Sequence, residues 1–305
     1  MSIRFDDKVA IVTGAGAGLG RSHAIALAAR GAKVVVNDLG ASRDGSGASS
    51  DAALAVVETI EQAGGVAMAN GANVANFEDV QAMVADAEAK WGRVDILINN
   101  AGILRDKTFA KMSLDDFKLV VDVHLMGSVN CTKAVWDGMR ERKYGRIVMT
   151  TSSSGMYGNF GQSNYGAAKM AVLGLMNTLA LEGAKSNVHV NALSPVAATR
   201  MTEDLMPKEY LDLLIPEVVT AGILTLCHEN SPSKHILCAG AGGYASSQIF
   251  ETEGVFLPEK DRNPEGVLAH NEAVLDTQNQ RALENGGQQT EKFLMKAIAH
   301  LESQK

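Results

Sequence analysis

The sequence has few cysteines and no excess of basic residues. Its three cysteines, Cys131, Cys227 and Cys238, have neither paired nor metal-ligand spacing, so we expect reduced structural thiols and no bound metal. The net charge of −7 argues against a nucleic-acid partner and against a membrane surface. The sequence shows neither an apolar run long enough to span a membrane nor an apolar signal core near Met1. We therefore expect a cytoplasmic protein.

Glycine, in contrast, is abundant, and one glycine-rich stretch follows a short apolar run. Val9–Thr13 predicts a strand, Gly14–Gly20 predicts a turn, and a helical pattern then continues through Arg30. This order is typical of the first unit of a doubly wound sheet, in which the turn lets a phosphate approach the amides at the helix N-terminus. A turn that only packs the helix against the sheet is the alternative.

A second strand, Lys33–Asp38, ends in a carboxylate. Asp38 lies near the offset of about 20 residues at which an acidic side chain binds the ribose hydroxyls of a dinucleotide. Because a carboxylate there repels a 2′-phosphate, it favours NAD over NADP. A strand-end turn aspartate is the alternative, and the Gly- and Ser-rich residues 40–50 are interpreted as an exposed insertion.

Strands and helices alternate along the rest of the chain, which predicts an α/β fold with a doubly wound parallel sheet, Rossmann-type and single-domain, over residues 1–250. Residues 251–305 are interpreted as a helical C-terminal extension. It would cover the substrate entrance, wrap a neighbouring subunit or form a surface appendage, and the last is preferred. The further predicted strands are 66–70, 94–98, 146–150, 188–193 and 234–239, and the predicted helices are 50–63, 77–90, 114–139, 163–185, 264–285 and 289–304.

Tyr165 and Lys169 lie four residues apart in a predicted helix, so they share one face. A nearby ammonium lowers the pKa of a phenol from its usual value of about 10, which would suit Tyr165 to general acid/base catalysis. Ser152 follows a predicted strand and could hydrogen-bond a substrate oxygen at the same point. Taken alone, however, such a Tyr–Lys pair is more often a surface pair.

Asn99 and Asn100 follow the central strand 94–98. They are either turn formers or cofactor contacts. Because doubly wound sheets bind ligands at the carboxyl ends of their strands, we prefer the cofactor role.

Together these residues resemble the motifs of the short-chain dehydrogenase/reductase family. The order of the motifs is the same, and Ser152 precedes Tyr165 by the family's customary thirteen positions. The resemblance, over roughly residues 5–245, implies that Tyr165 is the catalytic acid/base, that Lys169 holds the nicotinamide ribose and tunes Tyr165, and that Ser152 orients the substrate carbonyl. The NAD site that it implies consists of Gly14, Gly18, Leu19, Gly20, Asp38, Asn73, Val74, Asn100, Ala101, Gly102, Tyr165, Lys169, Pro195, Ala197 and Thr199.

Further segments, such as 100–106 and 155–162, are similar to one group within this family. That group is the (3R)-hydroxyacyl-CoA dehydrogenase domain of peroxisomal multifunctional enzymes of type 2, also called 17-beta-hydroxysteroid dehydrogenase type 4. The similarity implies an NAD-dependent homodimer or homotetramer that interconverts (3R)-3-hydroxyacyl-CoA and 3-oxoacyl-CoA. A dehydrogenase of steroids or other bulky secondary alcohols is the alternative within this class. A non-catalytic NAD-binding regulator or assembly component is the alternative outside it.

The sequence departs from the family pattern at two positions. His124 stands where many members have an asparagine, and it is either a proton relay or a hydrogen-bonded core histidine. Pro195 is followed by Val196 instead of glycine.

Two further features of the sequence can each be interpreted in two ways. The methionine-rich residues 197–215 suit either a lid over an apolar substrate or ordinary core. Arg105, Lys107 and Lys111 either meet the phosphates of coenzyme A or are solvated surface charges.

Overall fold

The structure is a computed structural model that describes residues 2–47, 49–197 and 207–303. Thr199 of the predicted cofactor site, and Met201 and Met206 of the predicted lid, lie outside the described residues. The chain divides into two compact units, Met1–Ser246 and Ser247–Lys305, which are described separately.

Eight strands form one sheet. They are β1 (Val9–Thr13), β2 (Lys33–Asn37), β3 (Val66–Asn70), β4 (Ile96–Asn99), β5 (Gly145–Thr150), β6 (Val188–Val196), β7 (Ile236–Gly240) and β8 (Gly243–Ser247). Their order is β3-β2-β1-β4-β5-β6-β7-β8, and the pairs from β3 to β7 are parallel. The order of the strands reverses between β1 and β4, so the predicted doubly wound sheet is confirmed, and its ligand crevice is expected at that point.

Helices cover both faces of the sheet, which explains why its central strands are apolar on both sides. They are α1 (Gly18–Ala28), α2 (Asp51–Gln62), α3 (Phe77–Trp91), α4 (Leu114–Val121), α5 (Gly127–Glu141), α6 (Ser153–Tyr157), α7 (Ser163–Gly183), α8 (Lys208–Leu211) and α9 (Pro216–Cys227). Residues 9–12, 34–36 and 96–98 are almost completely buried between the two helical layers. These strands form the core on which the site is built.

The sequence predicts one helix over residues 114–139, whereas the structure has two. A π-helical turn, Asp122–Met126, joins α4 to α5 and carries the buried His124. Such turns insert one extra residue into a helix and often occur at functional sites. A pattern of apolar residues does not reveal them, because the apolar face continues through the turn.

β8 is not predicted from the sequence. It follows β7 through the two-residue turn Ala241–Gly242, in which both residues have positive φ, 47° and 81°. Two such residues form a type of turn that joins hairpin strands. Because Tyr244 and its neighbours in β8 are exposed, the strand lacks the alternation of buried and exposed residues by which strands are recognised.

Arg146 lies in β5 and is 1% exposed. Its guanidinium donates to the backbone carbonyls of Gly145, Asn187, His228 and Glu229 at 2.5–3.0 Å. It also donates to the side-chain oxygen of Asn187 at 3.3 Å. One buried side chain therefore holds together two loops that follow α7 and α9.

Lys208–Cys227 is the one segment of the described chain whose length and apolar composition would suit a membrane span, whereas no membrane span is predicted from the sequence. The segment is divided into α8 and α9. In α9, Val219, Ile223 and Leu226 are buried in the core of the first unit. This packing is that of a core helix.

The second unit contains β9 (Phe250–Glu251), α10 (Pro264–Ala269), α11 (Asn271–Leu275), β10 (Arg281–Ala282) and α12 (Gly286–Ser303). The predicted helix over 264–285 is wrong beyond Leu275, because Asp276 is extended and Asn279 has a φ of 62°. The predicted helix over 289–304 is α12. Its Lys292 is buried and donates to Glu251 and to the carbonyl of Thr252.

Candidate active site

A cavity of about 490 Å³ lies at the carboxyl ends of β1, β2, β4, β5 and β6. Among the predicted site residues that the structure describes, only Gly20 does not line it. Those that do are Gly14, Gly18, Leu19, Asp38, Asn73, Val74, Asn100, Ala101, Gly102, His124, Ser152, Tyr165, Lys169, Pro195 and Ala197. The cavity therefore joins the predicted cofactor residues to the predicted catalytic residues.

The glycine turn between β1 and α1 is shaped to receive a phosphate. Gly14 and Gly18 have φ values of 62° and 52°, which other residues adopt only with strain. A Cβ at Gly20 would lie 2.2 Å from the carbonyl oxygen of Gly14, so only glycine fits there. Ala17 supplies no side-chain cap to α1, and the amides of the first helical turn remain available to an anion.

The turn after β4 is fastened to the glycine turn by reciprocal hydrogen bonds. The hydroxyl of Thr13 accepts from the amides of Asn100 and Ala101, both at 3.0 Å. The side-chain amide of Asn100 donates to the carbonyls of Thr13 and Gly14 at 2.9 and 3.1 Å. The two loops on which the predicted cofactor contacts lie are therefore held in one arrangement.

Asp38 lies half-buried at the end of β2. One carboxylate oxygen accepts from the amide of Gly16 and the other from the amide of Gly40, each at 2.7 Å. The carboxylate thus fixes the glycine turn on one side and the start of the following loop on the other. Each oxygen retains a lone pair that a sugar hydroxyl could use.

The three predicted catalytic side chains converge at the end of β5. The hydroxyl of Ser152 accepts from the amide of Ser154 at 3.2 Å and so caps α6, and Ser152 lines the same cavity as Tyr165. Lys169, one turn along α7 from Tyr165, donates from Nζ to the carbonyl of Thr150 at 2.6 Å. Its Nζ lies 5.6 Å from the centroid of the Tyr165 ring.

Burial dominates the electrostatics of these groups. It raises the pKa of Tyr165, and the nearby hydroxyl of Ser152 opposes this rise. Burial also lowers the pKa of Lys169 to about 7. The expectation that Lys169 lowers the pKa of Tyr165 is therefore wrong for the free protein, in which Lys169 is only partly charged at neutral pH.

The buried Lys169 makes the stability of the free protein depend on pH. Its pKa is about 7 in the folded state and roughly 10.4 in an unfolded chain, so between these values the unfolded state binds more protons. Wild-type stability should therefore gain up to about 1.4 kcal/mol per pH unit from Lys169 as the pH rises from about 7 to 9. Urea unfolding of the wild type and of Lys169→Met over this range measures the difference, and parallel pH profiles would contradict the expectation.

His124 contacts both the backbone and the predicted catalytic tyrosine. Its Nε2 lies 2.8 Å from the carbonyl oxygen of Ile103 and 3.0 Å from the amide of Ile103. Its ring stands at 88° to that of Tyr165, with centroids 5.1 Å apart. The backbone of Ile103 holds Nε2, whereas Nδ1 has no hydrogen-bond partner within the described residues. Both roles predicted for His124, proton relay and core histidine, therefore stay predictions.

Apolar residues that no sequence motif indicates also line the cavity. Leu119 and Val123 line it from α4 and the π-helical turn, and Leu214 lines it from within the predicted lid. The apolar face of the predicted helix over 114–139 is the signal that could have indicated the first two. These side chains give one part of the cavity an apolar surface.

The charges of Arg105 and Lys107 are directed at a protein carboxylate. Both donate to Asp116, at 3.0 and 3.2 Å. These two side chains therefore have a partner within the chain. Their binding to the phosphates of coenzyme A stays a prediction.

Comparisons with known proteins show the family to which the chain is similar. The model of the family described as short chain dehydrogenase matches residues 8–210. Peroxisomal multifunctional enzyme A of Dictyostelium discoideum is 48% identical over 268 residues, which are 88% of this chain and 60% of that protein. The full-length peroxisomal multifunctional enzyme type 2 of Drosophila melanogaster superposes with a TM-score of 0.82 at 37% identity, over 98% of this chain and 51% of that chain. This chain thus spans less than two thirds of either multifunctional enzyme.

A third similar protein has a ligand-bound structure. It is a 7 alpha-hydroxysteroid dehydrogenase complexed with NADH and 7-oxo glycochenodeoxycholic acid. Its TM-score is 0.70 at 31% identity, and the match covers 79% of this chain and 95% of that chain.

Proposed function

The chain belongs to the short-chain dehydrogenase/reductase family of NAD(P)-dependent oxidoreductases, and we propose that it interconverts (3R)-3-hydroxyacyl-CoA and 3-oxoacyl-CoA with NAD as its cofactor. One observation carries the proposal. The hydroxyl-bearing side chains of Ser152 and Tyr165, with Lys169, line the same cavity as the uncapped N-terminus of α1.

The residues of the cavity fit a dinucleotide. Gly14, Gly18 and the amides of α1 would hold its phosphates, Asp38 a ribose, and Lys169 the ribose of the nicotinamide. When bound, the nicotinamide supplies or accepts the hydride.

The chain itself provides proton transfer and charge stabilisation. The hydroxyls of Ser152 and Tyr165 would both hydrogen-bond the oxygen that changes between alcohol and ketone, since both side chains line the same cavity. As a phenolate, Tyr165 would take the proton of the alcohol during oxidation, and as a phenol it would return the proton during reduction. Because both donors are fixed before substrate binds, they stabilise the developing charge without rearranging.

The choice of NAD over NADP rests on the carboxylate of Asp38. We expect Asp38→Asn to weaken NADH binding by about tenfold. The dissociation constants for NADH and NADPH should also become more similar, because the charge that repels a 2′-phosphate is removed. Fluorescence titration with both cofactors measures this. Asp86→Asn on the exposed surface of α3 is the matched control, and equal binding of NADPH and NADH by the wild type would contradict the proposal.

The acyl-CoA substrate is supported by the apolar wall formed by Leu119, Val123 and Leu214 and by the similarity to the multifunctional enzymes. The test follows NADH absorbance with (3R)- and (3S)-3-hydroxyacyl-CoA thioesters of several chain lengths and with hydroxysteroids. Turnover of the (3R)-thioesters alone supports the proposal. Turnover of steroids alone would favour a bulky secondary alcohol, and NADH binding without turnover of any would favour a regulator.

We also propose that the protein acts as a homodimer or homotetramer in the cytoplasm. The oligomer is supported by the exposed apolar side chains of Met170 and Leu181 on α7. Unpaired cysteines suit a reducing compartment. Light scattering of the purified protein and cell fractionation test the two proposals, and a monomer or an organellar fraction would contradict them.

A further inference from the structure

The segment Ile103–Lys107, which we call the linking segment, follows β4 and contacts the loop that begins after Asp38. We call residues 41–47 the cofactor-side loop. The amide of Leu104 donates to the carbonyl of Arg43 at 3.0 Å, and Nε of Arg105 donates to the carbonyl of Asp44 at 2.6 Å. The linking segment is therefore fastened to this loop at two successive residues.

Gly45 of the cofactor-side loop also lies close to the side chain of Ile103 in the linking segment. Gly45 has a φ of 86°, and a Cβ built there would lie 3.2 Å from Cδ1 of Ile103. Ser42, Arg43 and Gly45 of the loop line the cavity, and so do Ile103 and Leu104. The contact between loop and segment thus forms part of the cavity wall.

The other side of the linking segment contacts the start of α7. The side-chain amide of Asn164 donates to the carbonyl of Arg105 at 3.1 Å, and its oxygen accepts from the amide of Tyr165 at 2.7 Å. Lys107 donates from its amide to the carbonyl of Gly161 at 2.9 Å. Asn164 is completely buried, so this link between the segment and the backbone of Tyr165 is shielded from water.

Arg105 belongs to both links. Its side chain reaches the cofactor-side loop, its carbonyl accepts from Asn164, and its Nη1 is held by Asp116 at 3.0 Å. A guanidinium can serve two such acceptors at once because its donors form a rigid fork. A lysine ammonium at the same place is a compact charge and would be expected to satisfy the two less well.

We propose that Arg105 is a positioning residue that holds the cofactor-side loop against the linking segment, so that cofactor binding depends on a loop anchored beside Tyr165. This inference rests on the proposed dinucleotide site. Without the guanidinium, the loop would have to be ordered when the cofactor binds, at a cost in affinity. Once the cofactor is bound at saturation, the loop is ordered again and the catalytic groups are unaffected.

The test compares Arg105→Ala and Arg105→Lys with the control Lys107→Ala, which removes the neighbouring partner of Asp116 but no contact with the loop. Arg105→Ala should raise the dissociation constant for NADH about tenfold, raise KM for NAD similarly, and leave kcat within about threefold. Hydrogen–deuterium exchange of residues 41–47 in the free protein should become faster. Arg105→Lys should restore part of both effects, and Lys107→Ala should match the wild type.

Equal NADH affinity of Arg105→Ala and Lys107→Ala would overturn the inference, and so would faster exchange of the loop without any loss of affinity. A variant that lowers kcat and thermal stability but leaves KM for NAD unchanged would indicate a merely structural role and would also overturn it. If Arg105→Ala does not fold, the same comparison is made with Arg105→Lys. A wild type that binds no NADH would overturn the proposed function and this inference together, whereas wild-type binding with unaffected variants overturns the inference alone.

Discussion

Replacing Tyr165 by phenylalanine is expected to lower kcat by about 10³-fold while the dissociation constant for NADH stays within about threefold of the wild type. The variant lacks only the hydroxyl, which is the group that would exchange a proton with the substrate. The ring contact with His124 and the packing of α7 should remain. Steady-state rates with the best substrate of the panel, together with fluorescence titration of NADH, measure the two quantities.

Ser152→Ala is the companion variant. It removes one of two donors to the reacting oxygen and should lower kcat by about 10²-fold, with Tyr165 still able to transfer the proton. Wild-type turnover by Tyr165→Phe would show that another group transfers the proton. A loss of NADH binding in either variant would show that the hydroxyls serve the cofactor instead of the substrate.

The largest expected effect on stability follows from Arg146. Arg146→Met should lower the free energy of unfolding of the first unit by about 3–5 kcal/mol, because several buried carbonyl oxygens lose their donor at about 1–3 kcal/mol each. For a unit of this size the midpoint of thermal unfolding should fall by roughly 10 °C. Urea unfolding and calorimetry measure these changes.

Arg140→Met supplies the matched control, because Arg140 lies half-exposed in α5 and its ion pair with Asp137 measures 3.9 Å. Such a surface change should alter stability by less than about 0.5 kcal/mol. Equal stabilities of the two variants would mean that water or neighbouring side chains replace the guanidinium at no cost. In that case Arg146 would not be what holds the loops of Asn187 and His228 together.

The sequence predicts the parallel sheet well because its strands are short, apolar on both faces and stopped by glycine or polar residues. The strand Lys33–Asp38 and the turn Gly14–Gly20 follow directly from such patterns. The exposed β8 and the π-helical turn at His124 have no equivalent signal. Beyond Leu275 the sequence predicts a helix that the structure does not have, because composition alone does not indicate the extended conformation of Asp276.

The sequence likewise identifies some features of the site and misses others. Helical periodicity places Tyr165 and Lys169 on one face, and the family's customary interval of thirteen positions identifies Ser152. It does not reveal how deeply Lys169 is buried, and so it gives the wrong sign for the pKa shift of Tyr165 in the free protein. The contacts of Arg105 with Asp44 and Asn164 join distant parts of the chain, and no local pattern predicts them.

The two amide partners of Asp38 have a consequence for redesign. A side chain at position 38 that donates to a 2′-phosphate would leave the amides of Gly16 and Gly40 without their acceptor. A single substitution would therefore also disorder the backbone that must bind the new cofactor. An efficient exchange of coenzyme would therefore need at least one compensating change, for example a residue that supplies an acceptor for the amide of Gly40.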